Sequence, residues 1–268
     1  MLTQDNETPV KNHRLPEYST PPVLEVVAGV QFSPLAKLQT RHLGGFCERA
    51  RKDFPITRDM PPLFDVPETP SIEFLALPPL RRVFILSEDQ NYVMQLQDTR
   101  FNFNWKRVKP DDPYPRFGTV FAKFQENWGA FSDYVDFENL GPIIPNRYEL
   151  TYVNHIELKG QNLSRELQAK VKMFNWDRVD PGFLPAPNSA SGVWLFQMPD
   201  SKGTLGANLS HAKRPDGRDL LVLNMSCSGP ASSQYTMKDW FNTAHEWIVR
   251  GFTDLTTSEA HKEWGRIS

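Results

Sequence analysis

The chain of 268 residues carries 30 Lys and Arg against 32 Asp and Glu, a formal charge of -2 at pH 7 with a sequence pI of about 6.3. That balance excludes the strong basic excess with which general polyanion binders grip phosphate, and the length suffices for one large domain or two small ones, each with a core. Aromatic residues make up 12% of the chain and include seven Trp, large buriable side chains that disordered sequences lack.

No apolar run is long enough to cross a bilayer, and the opening MLTQDNETPVKNHR lacks the apolar centre of a secretory leader, so a cytoplasmic protein without membrane contact is expected. Cys47 and Cys227 stand apart from any Cys or His cluster, which predicts two buried free thiols rather than a disulfide or a metal pair. The 23 Pro fall between periodic stretches and act as punctuation.

Residues 1–20 are polar, aperiodic and end at Pro21-Pro22, and read as a flexible or loosely docked tail. Residues 23–32 are short and β-branched, a strand; residues 39–54 repeat apolar groups at Leu43, Phe46, Cys47 and Ala50, a helix. A Pro-rich connector then precedes a short strand over 72–77. In residues 82–105 the alternation changes phase across Asp98-Thr99, as a two-residue hairpin turn requires. The register then sets Gln97 opposite Arg100, Gln95 opposite Asn102 and Val93 opposite Asn104, with a third strand at 83–87. Residues 114–135 carry Phe117, Phe121, Phe124, Trp128 and Phe131 at spacings of four and three, an amphipathic helix whose stripe should cover the apolar hairpin face.

After Pro142 and Pro145 the order starts again. Residues 24–32 align without gaps on 150–158, a helix capped by Ser164 follows over 165–173, and strands are expected at 193–198, 204–210 and 220–227. A last helix over 236–253 turns Trp240, Phe241, Ala244, Trp247, Ile248 and Phe252 inward. The expected fold class is therefore α+β with two similar halves, 21–145 and 146–268, an internal duplication of antiparallel meanders packed by aromatic-striped helices. Whether the halves share a sheet or pack as a pseudo-dimer stays open.

The string Pro21-Pro22-Val23-Leu24-Glu25-Val26-Val27, then Gln95-Leu96-Gln97-Asp98, Asn104-Trp105 and Tyr152-Val153-Asn154, and a terminal helix with His245-Glu246 and Phe252, resembles a sporadically distributed, functionally uncharacterised bacterial family of about this length. The resemblance implies no reaction, cofactor or catalytic residue. Patchy distribution implies an accessory gene, one that travels with defence or mobile-element functions.

The second face of the hairpin, Gln95, Gln97, Arg100, Asn102 and Asn104, is its most unusual feature, because exposed strands usually carry Thr, Lys and Glu. Neutral amides suit a partner strand, a nucleobase edge or a polar ligand, or simply line a solvated or interdomain sheet face. Asn208, Ser210, Asn224 and Ser226 offer a similar face in the second half. His155 and Glu157 form an H-x-E without the P-C-x-x-C of zinc deaminases, and His245-Glu246 is followed by Val249 where a zincin has its second His. No G-x-S-x-G and no phosphate loop is present. Carboxylate-x-Lys pairs at Glu157 and Asp200 are no more than composition yields, and the basic run Lys106, Arg107, Lys109 is short.

The sequence thus leads to a non-enzymatic binding or regulatory protein without cofactor or metal, whose amide face meets a protein partner or a second copy. The alternative is a small-molecule-binding or enzymatic domain with a cleft between the halves where Asn154, His155 and His211 act; a nuclease or nucleic-acid-binding protein comes third.

Overall fold

The computed structural model describes residues 14–63, 80–160, 162–174, 183–185, 187–214 and 216–268. Its nine strands are β1 (Val23–Phe32), β2 (Ile56–Met60), β3 (Arg82–Leu86), β4 (Tyr92–Gln97), β5 (Arg100–Lys106), β6 (Pro145–Glu157), β7 (Ser191–Gln197), β8 (Thr204–Lys213) and β9 (Asp219–Pro230). They form one antiparallel sheet in the order β2-β3-β4-β5-β1-β6-β9-β8-β7. The helices are α1 (Thr40–Ala50), α2 (Arg116–Phe137), α3 (Leu163–Lys170), α4 (Met237–Leu255) and α5 (Ser258–Glu263).

Both halves contribute to this sheet through the β1–β6 pair, in which Val26 lies opposite Tyr152 and Ala28 opposite Leu150. Each of these strands is also paired with the last strand of its own meander, β5 for β1 and β9 for β6. Alternation sets Val26, Ala28 and Val30 on the same side as Phe101, Phe103, Tyr148 and Leu150, and all of them are buried. On that side Phe131 of α2 stacks on Phe101 at 5.5 Å, Phe46 of α1 meets Phe131 edge-on, and Trp240 and Phe241 of α4 pack on Tyr148. Among the described residues, no helix is long and apolar enough to cross a membrane.

The hairpin pairs as the phase change requires, with Gln97 on Arg100, Gln95 on Asn102 and Val93 on Asn104. Four expectations need correcting. Residues 14–20 are docked, not loose: Tyr18 bridges to Arg266, its hydroxyl reaches Thr253 at 2.9 Å, and its ring packs between Phe252 and Trp264. The connector after α1 contains a strand, β2, which pairs with β3 although Arg58 and Asp59 interrupt any apolar pattern. The cap of α3 is Asn162, whose side chain accepts from the Arg165 N–H, while Ser164 lies inside the helix. Cys227 is buried but Cys47 only half so; both are free thiols, pushed up to about 12 and about 11 by burial. The expected strand over 72–77 lies outside the described residues.

Candidate functional site

Helices α2 and α4 run antiparallel over the β1–β6 seam: Phe121 meets Phe241 at 5.2 Å, and one turn on Phe117 stacks on His245 with ring centroids 4.1 Å apart. Beyond that contact they part. The gap is a cleft of about 330 Å³, toward the small end of ligand sites, whose lining is mainly apolar. Val23 of β1 with Tyr152 and Asn154 of β6 line it from the sheet, Phe117 and Ile248 from the helices, and Tyr18 from the docked amino-terminal segment. Tyr152 and Asn154 are brought there together by strand alternation, which turns both toward the helices.

A chain of polar groups runs through this wall. Tyr114 Oη donates to Tyr152 Oη at 3.2 Å, and Tyr152 Oη lies 3.0 Å from His245 Nδ1. In that order of donation His245 accepts at Nδ1 and keeps its own proton on Nε2. Burial pushes Tyr114 up to about 12, against the lowering effect of its bond to Tyr152, and raises Tyr152 well above the ordinary tyrosine value. Burial also lowers His245 to about 4. All three groups are therefore uncharged at neutral pH. Asn154, 2% exposed, donates Nδ2 to the Leu223 carbonyl at 3.0 Å, and no described residue donates to its Oδ1.

The mouth is charged. Arg116 opens α2 with a left-handed φ of 69°, unusual for a residue with a Cβ, and its guanidinium lies 5.7 Å from the Tyr114 ring. Glu17 lies 3.8 Å from both Arg116 and Arg14. The described lining holds no Ser, Cys or Asp, and Glu17 is paired with arginines. It therefore has neither an activated nucleophile nor a carboxylate pair for acid–base hydrolysis. Among the described residues no three His, Cys, Asp or Glu cluster as metal ligands would.

Of the residues expected to form a cleft, Asn154 does so. His155 faces the opposite side of β6, and His211 bonds Asp219 Oδ1 at 2.9 Å across the β8–β9 hairpin. The structure thus separates Asn154 from both histidines. The amide face also differs from expectation, because it is not open: Gln95, Gln97, Arg100, Asn102 and Asn104 are only 3–7% exposed. Gln95 Nε2 donates to Asn104 Oδ1 at 2.9 Å, Asn104 Nδ2 to Glu25 Oε1 at 2.6 Å, and Gln97 exchanges two bonds with the Leu63 backbone. The amides of Gln95, Gln97 and Asn104 are thus spent inside the chain, where low dielectric makes each bond count, whereas Asn102 Oδ1 is buried without a hydrogen-bond partner among the described residues. The basic run wraps around Asp112, which accepts from the Val108 and Lys109 N–H groups.

Sequence reasoning missed Glu17, which lies in an aperiodic tail, and Tyr114 and Arg116, which it took only as the start of the amphipathic helix over 114–135 and off its aromatic stripe, and it set His245 aside for lack of a zincin motif. The signal that was available is Tyr152-x-Asn154, two polar groups on the apolar face of a buried strand. A comparison with protein-family models and one with curated proteins both return no match.

Proposed function

We propose that the protein is a small-molecule-binding domain whose ligand lies in the cleft between α2 and α4, and that binding rather than chemistry is its task. The carrying observation is a mainly apolar cavity with an uncharged Tyr114–Tyr152–His245 chain and an Asn154 Oδ1 to which no described residue donates. Such a site offers apolar area for affinity and a few fixed polar groups for orientation. Several strings that carry the family resemblance, around Pro21, Tyr152 and His245, meet at this cleft. The order β3-β4-β5-β1 against β7-β8-β9-β6, each half followed by a long helix, supports reading the halves as an internal duplication with the ligand at their junction. The hairpin amides are buried, so the small-molecule cleft is favoured here over docking of a partner on that particular face.

The test uses N-phenylnaphthylamine, an uncharged aromatic fluorophore. Val249→Trp on α4 and Gly118→Trp on α2 narrow the cleft from opposite walls, and nothing lies within 4 Å of a Cβ at Gly118. Saturable one-to-one fluorescence in the unaltered protein, weakened about tenfold or more in both variants, is expected. Equal binding by all three proteins, each with an unchanged circular dichroism spectrum, overturns the cleft as the site.

A further inference from the structure

Resting on the reading of the cleft as a ligand site, we propose that its occupant is a small monoanion, a singly charged acid on an aromatic or aliphatic body, with the acid at the mouth against Arg116 and the body between Phe117 and Ile248. The charge balance carries this. Among the described residues, two cations, Arg14 and Arg116, and one carboxylate, Glu17, face the cleft. Tyr18, Tyr114, Tyr152 and His245, the other titratable groups of the lining, are uncharged at neutral pH. Among the described residues one positive charge is left over, at a mouth where the Arg14, Arg116 and Glu17 side chains stand 79%, 45% and 39% exposed.

The donors are also free. Glu17 sits 3.8 Å from each guanidinium, which is ion-pair contact without a hydrogen bond, and Arg116 makes no hydrogen bond with the described residues. Its planar fork is therefore available for a bidentate acid. Arg116 also begins a helix of 22 residues whose N-cap, Pro115, supplies no side-chain acceptor and whose first turn holds no acidic residue. The first backbone N–H groups of α2 consequently add to the positive end at the same mouth. A second, independent observation points to a ligand. The Asn154 side chain is almost fully buried, lines the cleft and spends only its Nδ2 on the described residues, so its Oδ1 is an open acceptor on the cleft side. The body of the ligand should present a hydroxyl or N–H there.

Anilinonaphthalene sulfonate and N-phenylnaphthylamine form the matched probes, since both carry an aromatic body and an N–H and only the first is an anion. In the full-length protein, Arg116→Gln should raise the dissociation constant of the sulfonate about tenfold, the worth of a charge-assisted hydrogen bond, and leave the uncharged probe within about twofold. Raising the salt concentration should weaken the sulfonate only. Arg116→Gly removes the same charge while freely adopting the positive φ, so the comparison survives if the Gln side chain disturbs the helix start. If both probes respond alike to Arg116→Gln and Arg116→Gly, or neither responds, the monoanion is wrong. In that case loss of N-phenylnaphthylamine in Val249→Trp and Gly118→Trp still upholds the cleft, whereas its retention there sinks the cleft itself.

Discussion

At the scale of single residues, His245 has the most informative environment. Its imidazole is stacked on Phe117 and bonded through Nδ1 to Tyr152, and burial holds it at about 4, below the ordinary value of 6.5. Between these two values the unfolded chain binds the proton and the folded one does not, so folding stability rises with pH across this window. Read downward, the contribution is intact above about pH 6.5 and lost as the pH falls to about 4. The loss amounts to about 3 kcal/mol. His155 and His261 are lowered in the same direction by burial, so the acid loss of the whole protein is shared. His245→Gln isolates the term: the stability gap between the parent and this variant, from urea unfolding, should shift by about 3 kcal/mol in favour of the variant from neutral pH to pH 4. A gap that does not change with pH removes His245 from the account.

At the scale of elements, glycine substitutions should act with opposite sign in α2 and in β9. Gly129 lies inside α2 with nothing within 4 Å of an added Cβ, so Gly129→Ala should stabilise by about 0.5–1 kcal/mol through backbone entropy. Gly229 ends β9 beside the turn that precedes β8, and a Cβ there would lie 1.8 Å from the Lys202 carbonyl and 2.9 Å from Trp240 Nε1. That carbonyl accepts the Trp240 indole N–H at 2.8 Å, so backbone and core would have to shift together. Gly229→Ala should cost about 3 kcal/mol or more in thermal or urea unfolding. The start of α4 is a third case. Thr236 accepts from the Asp239 N–H and Asp239 reaches back to Thr236, and Thr236→Ala should cost about 1 kcal/mol, most of it recovered in Thr236→Ser. These elements were legible in the sequence where a periodicity stood out: the phase switch at Asp98-Thr99 set the hairpin register, and the apolar repeat from Trp240 to Phe252 marked α4. β2 was not legible, because Ile-Thr-Arg-Asp-Met becomes a strand through the edge of β3 rather than through its own pattern. Nor was the cleft, since it is assembled from the docked tail, the start of α2, β6 and α4, segments far apart in the chain. The amide face shows the converse limit: alternation placed its residues on one side correctly but could not say that this side is buried.

At the scale of the whole molecule, the β1–β6 seam decides how the protein unfolds. β1 has 10 residues and β6 has 13, and each is flanked on both sides by a hydrogen-bonded neighbour. Val26, Val30 and Leu150 at the seam are fully buried, and the helices reinforce it, because Phe121 and Phe124 of α2 pack on Phe241 of α4. Separating the halves would turn two long strands into unprotected edges and uncover both helix faces at once, the condition under which chains aggregate rather than fold. The protein should therefore unfold in urea as one cooperative unit, with tryptophan fluorescence and far-ultraviolet circular dichroism giving coincident transitions. Residues 21–145 and 146–268 produced as separate chains should each lack a cooperative transition, and should regain one only when mixed. Two resolved transitions in the intact chain, or a half that melts sharply alone, would mean that the halves are autonomous and the seam is only an interface; a ligand in the cleft would then act by joining them rather than by occupying a preformed site.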